Sequence, residues 1–256
     1  MDGILKGKVI LISGGTKGVG RGVAIESARQ GAMVAIGGRD GAAAEEILKI
    51  IRDDRHGEAI FVQTEVTRID GCEKLVSETE KKYHRIDGFY NYAGILPAAS
   101  LVDTEESMFD AVFDLNVKAA FFCSKFVVRV MLRQKSGSLV FMGSAHGYGG
   151  EPDRASYAVS KGALLTLSKH IAKNYAKHNI RSNWVTMGWV ATPGELAFRK
   201  TQGRDLSWLQ REAPANIPMG SLLTVEDHVP GVIYLLSDAS SKVTGTELHI
   251  TGGFTA

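Results

Sequence analysis

Residues 8–24 read KVILISGGTKGVGRGVA. Residues 8–12 read as a strand: after Lys8 comes a continuously apolar run that ends near a glycine pair, the pattern of a strand buried on both faces. From Val19 to Gln30 the apolar positions Val19, Val23, Ile25 and Ala28 recur at helical spacing. Between strand and helix lies the loop Ser13 to Gly20. Glycines there let the backbone approach a phosphate, and the helix N-terminus behind them offers N–H donors and positive partial charge. A triphosphate-binding loop needs GxxxxGK followed by Ser or Thr. Gly15 and Gly20 have that spacing, but Arg21-Gly22 follows, so the lysine and the magnesium-binding hydroxyl are both missing. The literal GxGxxG is absent too. What stands here is Gly14-xxx-Gly18-x-Gly20.

The same alternation continues outward. Strands are expected at AMVAI (32–36), AIFVQ (59–63), within GFYNYAG (88–94), at SLVFMG (138–143), RSNWVTM (181–187) and ELHIT (247–251). Helical spacing is expected over 41–54, 70–83, about 105–134, 156–177 and 225–237. Strand–helix alternation implies right-handed crossovers and a parallel sheet covered on both faces. The reading is α/β: a Rossmann-type doubly wound, seven-stranded parallel sheet in a single domain of 256 residues. Residues 192–224 are too long for a simple connection and are read as a substrate lid.

Apolar residues make up 44% and charged residues 23%, enough for a full core. A net charge of +2 in a chain this long argues against a nucleic-acid or membrane surface. No run approaches the ~18 apolar residues of a membrane span, and the N-terminal stretch lacks a signal-sequence core. Cys72 and Cys123 form no CxxC and read as reduced thiols, so the expected setting is the cytoplasm. The seven histidines show no HExxH spacing, and no metal is expected.

The chemistry gathers in SAHGYGGEPDRASYAVSK (144–161). Tyr157 and Lys161 are four apart near a helix start, which places them on one face. A tyrosine with a pKa of ~10 is a poor acid–base catalyst at neutral pH. A neighbouring cation favours the phenolate and lowers that value. Ser144 stands thirteen residues before Tyr157, at a strand end, and strand ends and helix starts converge on one sheet edge.

The glycine loop, Asn116 in LNVKAAF, Ser144 and the Tyr157-xxx-Lys161 pair come in the order found in the short-chain dehydrogenase/reductase family, which the chain resembles from about residue 5 to 253. The resemblance implies an NAD(P)-dependent enzyme that interconverts a carbonyl and an alcohol. Tyr157 would be the general acid/base, Ser144 the donor to the carbonyl oxygen, and Lys161 the holder of the nicotinamide ribose. Asn116 would anchor a proton-relay water. Gly14, Thr16, Lys17, Gly18, Val19 and Gly20 would cradle the cofactor. Glu65 and Val66 would hold adenine. NYAG (91–94) places Asn91, Ala93 and Gly94 on the cofactor track, with Tyr92 where the family has Asn. MGWVAT (187–192) places Gly188, Val190 and Thr192 at the nicotinamide amide, with Met187 where the family has Pro. Thr251 stands where Asp is common.

The family's NAD-selecting acid falls at Gly38, which can neither bind a ribose hydroxyl nor repel a phosphate. Arg39 follows, and Lys17 adds a second cation, so NADP(H) is favoured over NAD(H). Asp40 is read as the start of the next helix. His146 and Tyr148 are expected to line the substrate pocket with Ser144 and Tyr157. Arg154 is read as exposed, and Ser156 and Ser160 as helix-start and packing residues. The lid mixes Phe198, Trp208 and Leu209 with Arg199, Lys200, Arg204 and Arg211, and leaves ketoacyl thioesters, sugars or sugar acids, and cyclic ketones open. The resemblance also implies a homotetramer built from helix 119–132, its neighbour and the C-terminal strand. A non-enzymatic NADP-binding sensor on the same fold is the alternative; it would be expected to lack one of the four catalytic groups.

Overall fold

The computed structural model describes residues 3–54 and 57–255. Seven strands form one sheet: β1 (Val9–Ser13), β2 (Met33–Gly38), β3 (Glu58–Gln63), β4 (Gly88–Asn91), β5 (Gly137–Met142), β6 (Ile180–Met187) and β7 (Glu247–Ile250). Their spatial order is β3-β2-β1-β4-β5-β6-β7, and every pairing is parallel. The helices are α1 (Gly18–Arg29), α2 (Gly41–Asp54), α3 (Ile69–Tyr83), α4 (Glu106–Phe113), α5 (Ala119–Gln134), α6 (Ala155–Tyr175), α7 (Pro193–Thr201), α8 (Leu206–Asn216) and α9 (Val225–Leu236).

Strand β1 explains the layering. All five of its residues are buried. Ile10 and Ile12 enter a core shared with Val19 and Val23 of α1, Ile47 of α2 and Val232 of α9. Val9 and Leu11 face the opposite core, with Leu75 of α3, Val127 of α5 and Leu164 of α6. A period-two strand that is apolar at every position needs cover on both faces. At about 1.5–3 kcal/mol for each large aliphatic side chain buried, neither face can be left wet.

The chain builds outward from β1 to β3, then returns to start β4 on the other side of β1. That reversal opens a crevice at the C-terminal ends of β1 and β4, where Ser13 and Asn91 are register partners. Among the described residues no helix is long and apolar enough to cross a membrane.

Two expected segments differ. The helix read over 105–134 is interrupted by a π-helical turn, Asp114–Lys118. The wider turn carries Asn116 into the interior, where its amide bonds to neighbouring backbone. The 192–224 segment is not an irregular loop but holds α7 and α8. Pro193 sits in the first turn of α7, where a missing N–H costs nothing, and Thr192 caps it by accepting from Glu195 N at 3.2 Å. Asp205 caps α8 by accepting from Trp208 N at 2.8 Å.

Gly143 joins β5 to Ser144, and a Cβ there would fall inside the ring of the fully buried Trp184. Gly143→Ala should therefore lower the urea-unfolding midpoint by the equivalent of about 2–3 kcal/mol and perturb the near-ultraviolet tryptophan signal. An unchanged midpoint would mean this corner has slack.

Candidate active site

The glycine loop is pressed into the crevice. Gly14 N and Gly15 N donate to Gly37 O at 3.0 and 3.4 Å. Gly14 has φ +84°, and a Cβ on it would lie 2.7 Å from Ala93 N. Gly18 has φ +54°, and a Cβ there would lie 2.5 Å from the Tyr92 hydroxyl. Side chains at these positions would fill the cradle a pyrophosphate needs. Lys17 makes no side-chain cap to α1, so the amides of the first turn other than Val19 N are left for a ligand. Tyr92 reaches this loop: its hydroxyl accepts from Val19 N at 3.4 Å.

Three adjoining cavities follow from there. One of about 240 Å³ is lined by Gly14, Thr16, Lys17, Arg39, Glu65, Val66, Ala93 and Gly94. The next, about 400 Å³, includes Gly18, Tyr92, Gly94, Tyr157, Lys161 and Thr192. The third, about 300 Å³, includes Ser144, His146, Tyr157, Gly188, Val190 and Thr192. Tyr157 lines both of the last two and so stands at their junction. This long, glycine-walled track fits a dinucleotide beside a small substrate. Asn91 and Val19 are buried behind the track, and Gly20 packs against Gly14.

Each cation at the adenosine end holds a carboxylate. Lys17 Nζ lies 3.1 Å from Asp40, and Arg39 Nη1 lies 3.2 Å from Glu65. Asp40 also caps α2 by accepting from Ala43 N at 3.1 Å. That amide first, and Lys17 second, hold its carboxyl below the usual range. The side chains of Lys17 and Arg39 are 65% and 74% exposed. Exposed pairs of this kind contribute about 0–1 kcal/mol and yield readily to a stronger anion.

At the junction, Ser144 follows β5 and its Oγ accepts from His146 N at 3.2 Å. Lys161 Nζ donates to Met142 O at 2.9 Å and lies 5.5 Å from the Tyr157 ring centre. Asn116 Oδ1 accepts from Ile95 N at 2.8 Å, while its Nδ2 donates to Ile95 O and to Ser160 Oγ, both at 3.0 Å. Ser160 in turn donates to Tyr157 O at 2.7 Å. Ser160 thus links Asn116 to the tyrosine's helix, more than the packing expected of it. A Cβ on Gly94 would be 3.1 Å from Asn116 Oδ1 and 3.9 Å from Lys161 Nζ, so these two groups converge there.

Burial pushes the Tyr157 phenol up to about 12, against the downward pull of its hydrogen bond with Ser144. Burial pulls the Lys161 ammonium down to about 8. The sequence predicts a tyrosine acidified by its lysine; in the structure desolvation is the largest effect and outweighs such an attraction. The phenol is held protonated.

Two placements correct the sequence reading. Tyr148 does not line the substrate cavity. The 3₁₀ turn Ala145–Tyr148 carries it outward, half-exposed, and its hydroxyl bonds to Thr186 Oγ1 at 3.2 Å and to the Glu247 carboxylate. Arg154 is not exposed: it is 2% accessible, covered by α7, and its guanidinium lies 3.9 Å from the Phe198 ring centre. His146 does line the cavity, 5.8 Å from the Tyr157 ring, and burial lowers its pKa. Sequence reasoning missed Arg154, Trp189 and Glu195 as cavity walls. Only Arg154 carried a signal, since it stands three residues before Tyr157, one turn back on the same helix start.

Comparison with known proteins shows the fold and the family. The family described as enoyl-(acyl carrier protein) reductase matches residues 14–255. The 3-oxoacyl-[acyl-carrier-protein] reductase FabG of Thermotoga maritima is 34% identical over 97% of this chain and 98% of its own. A short-chain type dehydrogenase/reductase from Mycobacterium marinum superposes with a TM-score of 0.90 at 29% identity, covering 98% of this chain and 97% of its own. A structure from Beutenbergia cavernae, described as a candidate NAD(P)-dependent gluconate 5-dehydrogenase with NADP bound at low occupancy, superposes with a TM-score of 0.89 at 30% identity, covering 98% and 97%.

The π-helical turn offers a direct check. Asn116→Ala removes three hydrogen bonds and strands the Ile95 N–H and C=O groups. Urea unfolding should report a loss of about 2–3 kcal/mol, and the Ile95 amide should exchange faster. A loss below about 0.5 kcal/mol would show that Asn116 does not hold the turn.

Proposed function

The chain belongs to the short-chain dehydrogenase/reductase family, and on that premise we propose that it is an NADP(H)-preferring oxidoreductase that interconverts a small ketone or aldehyde and its alcohol. The observation that carries the proposal is the convergence of Ser144, Tyr157 and Lys161, with Asn116 behind them, at the junction of the long cleft and the third cavity.

A reduced nicotinamide dinucleotide in the cleft would supply the hydride. The amides of the Gly14–Gly20 loop that are not already engaged would hold its pyrophosphate, with Thr16 and Val19 part of that loop. Lys17 and Arg39, now in weak surface pairs, would hold its 2′-phosphate. Glu65 and Val66 flank the adenine, and Asn91, Ala93 and Gly94 form the closely approached wall. Gly188, Val190 and Thr192 orient the nicotinamide amide.

Tyr157 gives its phenolic proton to the carbonyl oxygen. Ser144 donates a hydrogen bond to the same oxygen, and its hydroxyl is oriented for this because its lone pair already accepts from His146 N. The phenolate left behind is stabilised by Ser144 and by the charged Lys161. Asn116 is a positioning group: it fixes the Ile95 segment and Ser160, and a water held beside it next to Lys161 passes the proton onward. α7 and α8 cover the cavity as a lid on a one-domain enzyme. Phe109 of α4 and Phe121 of α5 are 42% and 52% exposed, which supports assembly of copies through these helices into a homotetramer.

Three measurements test this reading. Tyr157→Phe should lose at least about 10²–10⁴-fold in kcat while NADPH binding, followed by nucleotide fluorescence, is retained. Undiminished turnover would remove the tyrosine from the mechanism. Wild type should bind NADPH more tightly than NADH, and Arg39→Ala should narrow the difference; tighter NADH binding by wild type would refute the cofactor choice. Lys161 keeps its charge below about 8 and loses it as pH rises through that value. kcat/KM for reduction should fall accordingly on the alkaline side, and a profile level well beyond that pH would take Lys161 out of the acid–base chain.

A further inference from the structure

Arg154 is a buried cation with too few partners. Its side chain is 1% exposed. Nη1 donates to Asp153 O at 3.2 Å and lies 3.3 Å from the Asp153 carboxylate, which is itself 42% exposed. Nε is buried and has no hydrogen-bond partner among the described residues. A guanidinium left in this state costs several kcal/mol unless something meets its free edge. Phe198 covers one face of the guanidinium plane at 3.9 Å. Stacking occupies only the face of the plane, and it is the N–H groups at its edge, of which Asp153 engages Nη1, that grip a carboxylate.

Arg154 lines the same 300 Å³ cavity as Ser144 and Tyr157. It stands one turn ahead of Tyr157 at the start of α6. We propose that Arg154 anchors a carboxylate of the substrate, and that the enzyme acts on short oxo acids and the matching hydroxy acids. This rests on the hydride-transfer reading of the site. The second arginine in the wall, Arg199, is already engaged: its Nε donates to Glu195 at 2.7 Å, and Glu195 also accepts from Trp189 Nε1 at 2.8 Å. That triad stiffens α7 and holds the lid, with Phe198 on it, over Arg154.

The walls also limit the anion. Glu151, Glu195 and Glu212 line the cavity beside Arg154, Arg199 and Arg204. A dianion such as a phosphate would meet three carboxylates, whereas a planar monoanion needs one fork. The cavity is at the small end of ligand sites, which favours a short acid over a long acyl chain. The reaction balances: the oxo acid takes a hydride from NADPH at the carbonyl carbon and a proton from Tyr157 at the oxygen. A hydroxy acid and NADP⁺ result.

The test compares acids with their neutral counterparts. Pyruvate, acetoacetate and levulinate, and the methyl ester of each, are assayed with NADPH for wild type and Arg154→Met. For at least one pair the wild type should favour the acid by about tenfold to a hundredfold in kcat/KM, mostly through KM, as expected for a charged hydrogen-bonded pair. In Arg154→Met that ratio should collapse toward one. A wild-type preference for the esters, or a preference for the acid that survives in Arg154→Met, would overturn the proposal.

Binding is measured separately on the NADP⁺ complex with butyrate and butyramide, by thermal shift. Butyrate alone should stabilise the wild-type complex, and equal effects of acid and amide would overturn the proposal without need of any variant. If none of the ketones is reduced yet butyrate still binds selectively, the hydride-transfer reading fails and the anion site stands.

Discussion

The closeness of Gly14 to Ala93 is the constraint on which the site depends. With no room for a Cβ at Gly14, the loop after β1 closes against the end of β4. The sheet reverses its winding between these two strands. The close fit brings the start of α1, the end of β4 and, one strand further, Ser144 to a single edge. It also fixes where a diphosphate can lie, since the amides that would bind it are set by backbone alone. Tyr92 fits the same logic. Its ring is longer than the amide it replaces in the family pattern, and it uses that length to reach Val19 N across the loop.

Desolvation sorts the charged residues around this edge into two kinds. Lys17 and Arg39 stay in water, and their pairs with Asp40 and Glu65 are weak enough to exchange. Tyr157, Lys161 and Arg154 are out of water, so their states are set by what touches them. For Tyr157 and Lys161 burial favours the neutral forms, and the arrival of a charged ring and a developing alkoxide would reverse that balance. An arginine cannot respond by losing its proton. Arg154 keeps its charge, and its ion-pair partner among the described residues, Asp153, is itself 42% exposed, which is why a further anion is assigned to this guanidinium.

The sheet was legible because its signals are local. Seven apolar runs, each bounded by glycine or polar residues, correspond to the seven strands, and the crossovers follow from handedness. Ser144, Tyr157 and Lys161 were singled out by their order and spacing in the resembled family, and the structure brings Ser144 and Tyr157, and Tyr157 and Lys161, to shared cavities at one sheet edge. The π-helical turn was not, since Asn116 in LNVKAAF breaks no periodic pattern; the turn exists because Ile95 and Ser160, distant in sequence, offer that amide its partners. Helices α7 and α8 were left inside the long 192–224 segment, although Thr192-Pro193 and Asp205 are helix-start signals. Tyr148 and Arg154 went wrong in opposite directions for one reason. Exposure near a turn depends on what folds over it, and α7 covers Arg154 but not Tyr148.

The lid is therefore more than a cover. Phe198 and Arg199 are adjacent on α7, one stacked on Arg154 and the other tied to Glu195 and Trp189. Moving α7 away would expose the guanidinium to water and separate it from the ring that dries one of its faces. Lid closure and the strength of the anion site are then one equilibrium. On the proposed chemistry, a carboxylate that needs a desolvated arginine would favour the closed lid, and the closed lid would also exclude water from the junction around Tyr157. Substrate charge, held one helical turn from Tyr157, would in this way be coupled to the dryness that keeps the phenol protonated.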